Sequence, residues 1–232
     1  MCTIDPNDFV NFNPDKYNSL PEVDVASSNL QKCSDLAELL EKIFSLTKKH
    51  SLELGVRLVH RHMQVDEGKV MVERFQFHQN VPAFTTSAHL PTDQIYPASW
   101  LLEDNSKFSV FEYSTDILVR YTLEKLIKDP SIFMKICELI REYHFENLLA
   151  PCITARDSLK QFDKKNGFME FTDLETNVSI VKNTKDQTIC SHEGALIITT
   201  LWAYPVNENC LRGDYQKNSD NYNCSHCWHD QK

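Results

Sequence analysis

The sequence predicts an α+β fold, in which an antiparallel sheet built from hairpins has helices packed on one face. Three observations predict this class. Several short segments alternate apolar and polar residues and are separated by turn residues, as in β-hairpins. A block with helical periodicity interrupts them between about residues 115 and 147. The regular alternation of strands and helices that is typical of a parallel sheet is not found.

The 232 residues divide by composition into three parts. Residues 1–30 are polar, contain three prolines and lack a hydrophobic period, so we expect an irregular N-terminal arm. Residues 31–204 carry the strand and helix patterns and are expected to form a single α+β domain. Residues 205–232 form a polar tail that contains Cys and His residues.

Three amphipathic helices are expected. The first follows Asp35 and Glu38, which have the spacing of an N-cap and N3 pair, and it ends near residue 49. The second and third are expected at about residues 115–128 and 130–147. They are separated at Asp129-Pro130, because proline breaks a helix interior but suits a first turn.

The strands are expected in three hairpins and one longer strand. The turn at residues 66–69 joins the first pair of alternating segments, and a long loop is expected over residues 78–97. Residues 151–166 are expected to be a loop with one helical turn. The predicted hairpins pair 55–65 with 70–77, 99–102 with 108–113, and 167–172 with 177–181, and the longer strand covers 195–204.

The charge balance restricts the partners. The chain has 24 Lys and Arg against 33 Asp and Glu, a formal net charge of −9, and a pI near 5.5. Domains that neutralise phosphates commonly have a basic face and a pI above about 9, so direct nucleic-acid binding is disfavoured, although a local basic patch could form in the fold. The longest apolar stretch is far shorter than the ~20 residues of a membrane span, so no membrane partner is expected.

The N-terminus has neither the basic nor the apolar region of a secretory signal, so we expect a cytoplasmic or nuclear protein. In a reducing compartment the eight cysteines are expected to be thiols or metal ligands rather than disulfides.

The tail contains a candidate zinc site. Cys224 and Cys227 form a Cys-x-x-Cys pair, the spacing with which two thiolates hold one tetrahedral zinc ion. Cys190 and Cys210 would complete four ligands, and such a site would tie the tail back to the sheet. His192 and His229 are further candidate ligands. A redox pair and an unstructured tail with incidental thiols are the alternatives.

A second candidate metal site is His60-Arg61-His62. Residues two apart on a strand face the same side, so both imidazoles would project together, roughly 6–7 Å apart. Two such histidines commonly supply part of a catalytic metal site, but the sequence does not identify a third ligand. The alternative is a strand that extends out of the core, with the two histidines at its solvent-exposed end.

Covalent catalysis has little support in the sequence. Cys152 follows a predicted helix that contains His144, but no known motif of a nucleophile surrounds it. His144 lies on the apolar stripe of that helix and is expected to be a core histidine.

One region resembles a known group of proteins. The segment LELGVRLVHRH, from Leu52 to His62, follows an amphipathic helix and precedes an acidic turn. Over about residues 33–115 it resembles small uncharacterised intracellular proteins of ascomycete fungi, some of them encoded in or near secondary-metabolite gene clusters. A similar protein accompanies the loline alkaloid genes, where a regulatory role has been suggested. The resemblance implies a place in secondary metabolism or its transcriptional regulation, and it supplies no catalytic residue.

The sequence therefore leaves two classes of function open. The first is an accessory or regulatory protein, stabilised by zinc, that acts through protein partners. The alternative is a metal-dependent enzyme that acts on a small molecule, with His60 and His62 as ligands.

Overall fold

A computed structural model describes residues 11–50, 53–76, 81–87, 94–103, 107–155, 168–173, 178–183, 200–203 and 229–230. Within these residues it has five helices and ten strands. The helices are α1 (Pro14–Asn18), α2 (Val23–Leu30), α3 (Leu36–His50), α4 (Ile117–Lys128) and α5 (Ser131–Glu142). The strands are β1 (Leu54–Leu58), β2 (Val70–Gln76), β3 (Val81–Ser87), β4 (Tyr96–Leu102), β5 (Phe108–Ser114), β6 (Leu149–Ile153), β7 (Phe168–Asp173), β8 (Val178–Asn183), β9 (Leu201–Ala203) and β10 (His229–Asp230).

The strands form one sheet in the order β10-β7-β8-β3-β2-β5-β4-β6-β1-β9. The β2–β5 and β7–β10 pairs are parallel, and the other pairs are antiparallel. Helices pack against this mostly antiparallel sheet, so the predicted α+β class is confirmed.

The three long helices cover one face of the sheet. α3 contacts β1, α4 contacts β4, α5 contacts β6, and α3 also packs against α5. Their apolar stripes meet inward-facing strand residues in the main core, where Trp100 of β4 packs edge-on against Phe133 of α5 with ring centroids 5.1 Å apart. The i, i+3, i+4 periodicity seen in the sequence is therefore the periodicity of this interface.

A second, smaller core lies on the opposite face. Leu101 and Phe111 follow Trp100 and Val110 along their strands and point the other way, because successive strand residues alternate. Tyr17 of α1 covers them together with apolar residues from the chain between β1 and β2. This connection, residues 59–65, is called the 59–65 segment below.

The helix predictions are confirmed, with changes at the ends. α3 begins after Asp35, and Asp129-Pro130 separates α4 from α5 as expected. α5 ends at Glu142 rather than near residue 147, because His144 adopts a φ of 62° and the chain turns there. Residues 11–30, expected within an irregular arm, contain the short helices α1 and α2.

The second and third hairpins are confirmed as β4–β5 and β7–β8. The first is wrong: β1 ends at Leu58 and pairs with β6 and β9, whereas β2 pairs with β3 and β5. The turn at Asp66–Lys69 does form, with Gly68 at a φ of 74°, but it leads from the 59–65 segment into β2. Residues 81–87 of the expected long loop are β3, and residues 149–153 are β6. Of the expected strand over 195–204, residues 201–203 form β9, Thr200 precedes it, and residues 195–199 and 204 lie outside the described residues.

Within the described residues, no helix is both long enough and apolar enough to cross a membrane.

Candidate functional site

Four polar side chains lie together in the interior, on the sheet face opposite the three long helices. They are Arg57 of β1, His62 of the 59–65 segment, Ser99 of β4 and Glu112 of β5, and we call them the buried polar cluster. The side chains of Arg57, His62 and Glu112 are 6%, 0% and 1% exposed. Charged groups are rarely buried to this extent without partners, so their contacts determine what the cluster can do.

The carboxylate of Glu112 is the centre of the cluster. Its Oε2 accepts a hydrogen bond from the guanidinium of Arg57, and Ser99 Oγ lies 3.4 Å from the same oxygen. Its Oε1 lies 2.8 Å from His62 Nε2. Each carboxylate oxygen therefore has a cationic or polar partner, which offsets part of the cost of burying the charge.

The Arg57–Glu112 ion pair crosses two intervening strands. β1 and β5 are separated in the sheet by β6 and β4. The residue beside Arg57 on β6 is Ala150, and the residue beside Glu112 on β4 is Ser99. These small side chains leave room for the long arginine side chain to lie along the sheet face, with its guanidinium carbon 5.7 Å from the centroid of the Phe111 ring.

A bulge on β5 places Glu112 on this face, and a second bulge, on β4, restores the register. Trp100 pairs with Val110, but the next β4 residue, Ser99, pairs with Glu112, so Phe111 is an extra residue on β5. The register recovers before Pro97 pairs with Tyr113, which makes Ala98 an extra residue on β4. Without the first bulge, strict alternation would put Glu112 on the same face as Val110, beneath the long helices.

The 59–65 segment is attached to the sheet and to α1 by polar contacts. The backbone N–H of His62 donates to the Tyr17 hydroxyl at 3.1 Å. The Asn18 side chain donates to the Val65 carbonyl and accepts from the Val65 N–H, both at 2.8 Å. Arg61 donates to the Asn18 carbonyl and to Glu22. These contacts fix the backbone on both sides of His62, so its imidazole is held in place against Glu112.

The two histidines of the predicted metal site are neighbours, although not for the predicted reason. Both lie beyond the end of β1, yet their ring centroids are 4.6 Å apart. His60 Nδ1 contacts the Leu58 carbonyl oxygen at 2.9 Å, and His62 contacts Glu112. In the part of the chain that the structure describes, no group of three or more His, Cys, Asp or Glu side chains is arranged to hold a metal ion.

The predicted zinc ligands Cys190, Cys210, Cys224 and Cys227, with His192, lie outside the described residues. His229 lies in β10, whose backbone pairs with β7. The cysteines that the structure does describe are Cys33, Cys137 and Cys152, and none of the three forms a disulfide. Burial raises the pKa of the Cys137 thiol well above its usual range. Cys152 is also buried.

His144, expected to be a core residue, is exposed. This expectation is wrong because the helix has already ended and the chain turns at this residue.

A cavity of about 430 Å³ lies away from the buried polar cluster. It is lined by the chain that enters α1, from Asn11 to Pro14, and by residues around the β4–β5 turn, including Glu103, Lys107 and Phe108. Near it, Lys16 and Glu103 form an ion pair at 2.9 Å. None of the four cluster residues lines this cavity.

The outer side of α4 exposes apolar side chains. Tyr121, Ile127 and Ile117 are 53%, 46% and 40% exposed. With Val25 of α2 they are the exposed large hydrophobic residues of the described chain. Ile117 and Tyr121 are four residues apart and lie on one face, with the Arg120–Glu124 ion pair beside them. We call Ile117, Tyr121 and Ile127 the α4 apolar patch.

The helix that carries this patch is fixed in place by its opposite side. Val119, Leu123 and Leu126 are buried against the sheet, and the Asp116 side chain caps the first turn by accepting from the Leu118 N–H at 2.9 Å. The patch is therefore presented on an anchored helix rather than on a loop.

Sequence reasoning missed Arg57 and Glu112. A weak pattern could have indicated them, since each is a single charge between apolar neighbours in a strand, in Val56-Arg57-Leu58 and Phe111-Glu112-Tyr113. The opposite signs of the two charges are consistent with a buried pair, but a solvent-facing strand position has the same local pattern.

Comparisons of the chain with protein-family models, with curated proteins and with solved structures found no match.

Proposed function

We propose that this protein is an accessory or regulatory protein that acts through contacts with other proteins. The observation that carries the proposal is the α4 apolar patch, because three of the four exposed large hydrophobic side chains in the described residues lie on one helix. Apolar residues that are exposed singly need no explanation, but Ile117 and Tyr121 are one turn apart on the same face of an anchored helix, and adjacent exposed apolar side chains are typical of an interaction surface.

The composition of the patch supports a protein partner. Tyr and Arg are enriched at the centres of protein interfaces, and here Tyr121 lies next to Arg120 on the exposed face. The resemblance of the Leu52–His62 region supplies the proposed setting, which is intracellular secondary metabolism or its transcriptional regulation in a fungus.

Zinc binding by Cys190, Cys210, Cys224 and Cys227 is part of the proposal and rests on the Cys-x-x-Cys spacing. One backbone relationship supports it. β10 begins two residues after Cys227, and His229 pairs with Glu170 of β7. A metal clip at this point would stabilise the pairing of a two-residue strand.

The metal-dependent enzyme is the second candidate. The adjacency of the His60 and His62 rings, with Glu112 2.8 Å from His62, favours it. In that alternative a small molecule would be the substrate. A metal bound at His62 Nε2 would have to displace the hydrogen bond to Glu112, which makes this the weaker proposal.

The protein-contact proposal is tested by comparing three forms of the full-length protein as affinity baits in an extract of the cells that produce it. The forms are the wild type, Ile117→Ser with Tyr121→Ser, and Val25→Ser as the matched control on α2. We expect a protein that the wild type and the control recover equally and that falls about tenfold or more with the α4 variant. Recovery of the same proteins in the same amounts by all three forms would overturn the proposal.

A further inference from the structure

Basic residues surround one end of the layer formed by the long helices. α3 ends with Lys48, Lys49 and His50, and the last turn of α4 contains Lys125 and Lys128. All five are exposed. Basic residues suit the C-terminal ends of helices because of the helix dipole, so each helix has a local reason for its lysines.

The ends of these helices come together at the α4–α5 turn. Asp129 lies in that turn, and its pKa is lowered by hydrogen bonds from the Ser131 hydroxyl and backbone N–H and, to a smaller extent, by the charges of His50 and Lys135. α3 packs against α5, and the hydroxyl of Tyr143, just after α5, donates to Glu38 in the first turn of α3, so the two helices are antiparallel and the end of α3 lies beside the start of α5. The end of α3, the end of α4 and the start of α5 therefore form one basic region around a single turn.

The basic region adjoins the α4 apolar patch. Ile127 of the patch lies between Lys125 and Lys128 in the same helical turn. Tyr121 is one turn from Lys125 and two turns from Lys128, so exposed apolar and basic side chains are neighbours on α4. These lysines therefore form a local basic surface on a chain whose net charge is −9.

We propose that this surface binds an acidic amphipathic segment of a partner protein. Apolar side chains of the segment would pack on Ile117 and Tyr121, and its carboxylates would lie against Lys125 and Lys128, since these four side chains lie on one face of α4 at about 100° per residue. The inference rests on the proposed function and deepens it, because it assigns the chemistry of the partner that the α4 apolar patch contacts.

Charge complementarity favours a protein segment over a nucleic acid or a membrane. A chain of net charge −9 is repelled at long range by an extended anionic surface. A short acidic segment instead interacts within about one Debye length, ~8 Å at physiological salt, where the local lysines dominate.

The test uses the full-length protein and a labelled helical peptide of about 18 residues, with Leu at i, i+3, i+4 and i+7 positions and Glu on the other face. Fluorescence anisotropy measures its affinity at low and physiological salt. A second peptide with every Glu changed to Gln keeps the apolar face, and vesicles containing phosphatidylserine test the membrane alternative. We expect the Glu peptide to bind in a salt-dependent way, and the Gln peptide and the vesicles to bind at least about tenfold more weakly.

Charge-reversal variants locate the site. Lys125→Glu with Lys128→Glu should weaken binding of the Glu peptide about tenfold or more, since two attractions become repulsions. Lys32→Glu with Lys107→Glu, at exposed positions outside α4, should change the affinity less than about twofold. Lys125→Gln with Lys128→Gln is a milder substitution for use if the reversal disturbs folding, and far-ultraviolet circular dichroism checks each variant.

The inference is overturned if the wild type does not bind the Glu peptide, if both charge-reversal variants lose binding equally, or if vesicles bind and the peptide does not. Its failure differs from that of the proposed function. A partner lost with Ile117→Ser and Tyr121→Ser but retained with Lys125→Glu and Lys128→Glu would leave the protein-contact function standing and reject the acidic partner.

Discussion

The guanidinium of Arg57 and the carboxylate of Glu112 form an ion pair inside the sheet although their strands are not neighbours. β6 and β4 lie between them, and the pair passes over this part of the sheet face, where Ala150 and Ser99 are small. Burying two charges costs several kcal/mol each, and mutual attraction together with further hydrogen bonds offsets that cost. His62 and Ser99 supply such contacts here. The buried polar cluster is therefore a single unit whose members depend on one another.

Removing one member of the ion pair should destabilise the protein more than removing both. We expect Arg57→Met or Glu112→Gln alone to lower the free energy of unfolding by about 3–5 kcal/mol, because each leaves a buried group without its charged partner. Arg57→Met combined with Glu112→Gln should cost clearly less than the sum of the two. Urea unfolding of the four proteins gives this cycle. Strictly additive losses would contradict the coupling.

We expect His62 to stabilise the fold through Nε2, the ring nitrogen that contacts Glu112. His62→Leu removes this contact, and we expect a loss of roughly 1–3 kcal/mol in the free energy of unfolding. His62→Gln can place an amide N–H near the same position and should cost less. The comparison is made by thermal and urea unfolding at neutral pH. Equal losses for the two variants would show that packing, and not the hydrogen bond, determines the role of His62.

The three described cysteines should differ in reactivity. Cys33 is half-buried, whereas Cys137 and Cys152 are buried. Burial also raises the pKa of the Cys137 thiol, so the reactive thiolate is scarce at neutral pH. We expect iodoacetamide to modify Cys137 at least about tenfold more slowly than Cys33 in the native protein, since one pKa unit changes the thiolate fraction tenfold.

Peptide mapping by mass spectrometry measures these rates, with the protein unfolded in urea as the control. Equal rates for Cys33 and Cys137 under native conditions would contradict the burial that the structure assigns.

Metal content distinguishes the two candidate metal sites. We expect elemental analysis of the purified protein to find one zinc per chain, lost in Cys224→Ser with Cys227→Ser and retained in the control Cys33→Ser. Loss of the metal should also lower thermal stability, because zinc binding contributes directly to folding. Zinc that remains in the double Cys variant and disappears in His60→Ala with His62→Ala would reject the tail site and favour the enzyme alternative.

His144 ends α5 with a backbone conformation that glycine prefers. Its φ is 62°, and the Phe145 N–H donates to the Ile140 carbonyl at 2.9 Å, as in a Schellman motif. In this left-handed backbone conformation a residue with a Cβ has a conformational free energy roughly 1–2 kcal/mol higher than in its preferred conformations. We expect His144→Gly to raise the free energy of unfolding by up to about 1 kcal/mol, part of the gain being lost to the greater freedom of glycine when unfolded.

His144→Ala is the matched control, because it removes the same imidazole and keeps the Cβ. An equal gain from alanine would show that the side chain, and not the backbone conformation, is the source of the effect.

Local patterns in the sequence were enough to predict the long helices and the two hairpins whose strands are joined by short connections. The apolar stripe of α3, the break at Asp129-Pro130 and the short β4–β5 and β7–β8 connections all depend on residues near one another in the chain. The periodicity and the turn residues that specify these elements can be identified from neighbouring residues alone, without knowledge of the fold. The Asp66–Lys69 turn was also correct as a turn, but the pairing inferred from it was wrong.

Only the tertiary structure decided which strands pair and where the buried charges lie. β1 pairs with β6, nearly a hundred residues away, because pairing depends on which faces can be buried together and not on the nearest turn. Glu112 faces Arg57 because of a one-residue bulge, and the same strand sequence without it would direct the carboxylate beneath the helices. The sequence by itself thus determined the α+β class and the long helices, whereas the Arg57–Glu112–His62 cluster arises from three segments whose proximity no local pattern encodes.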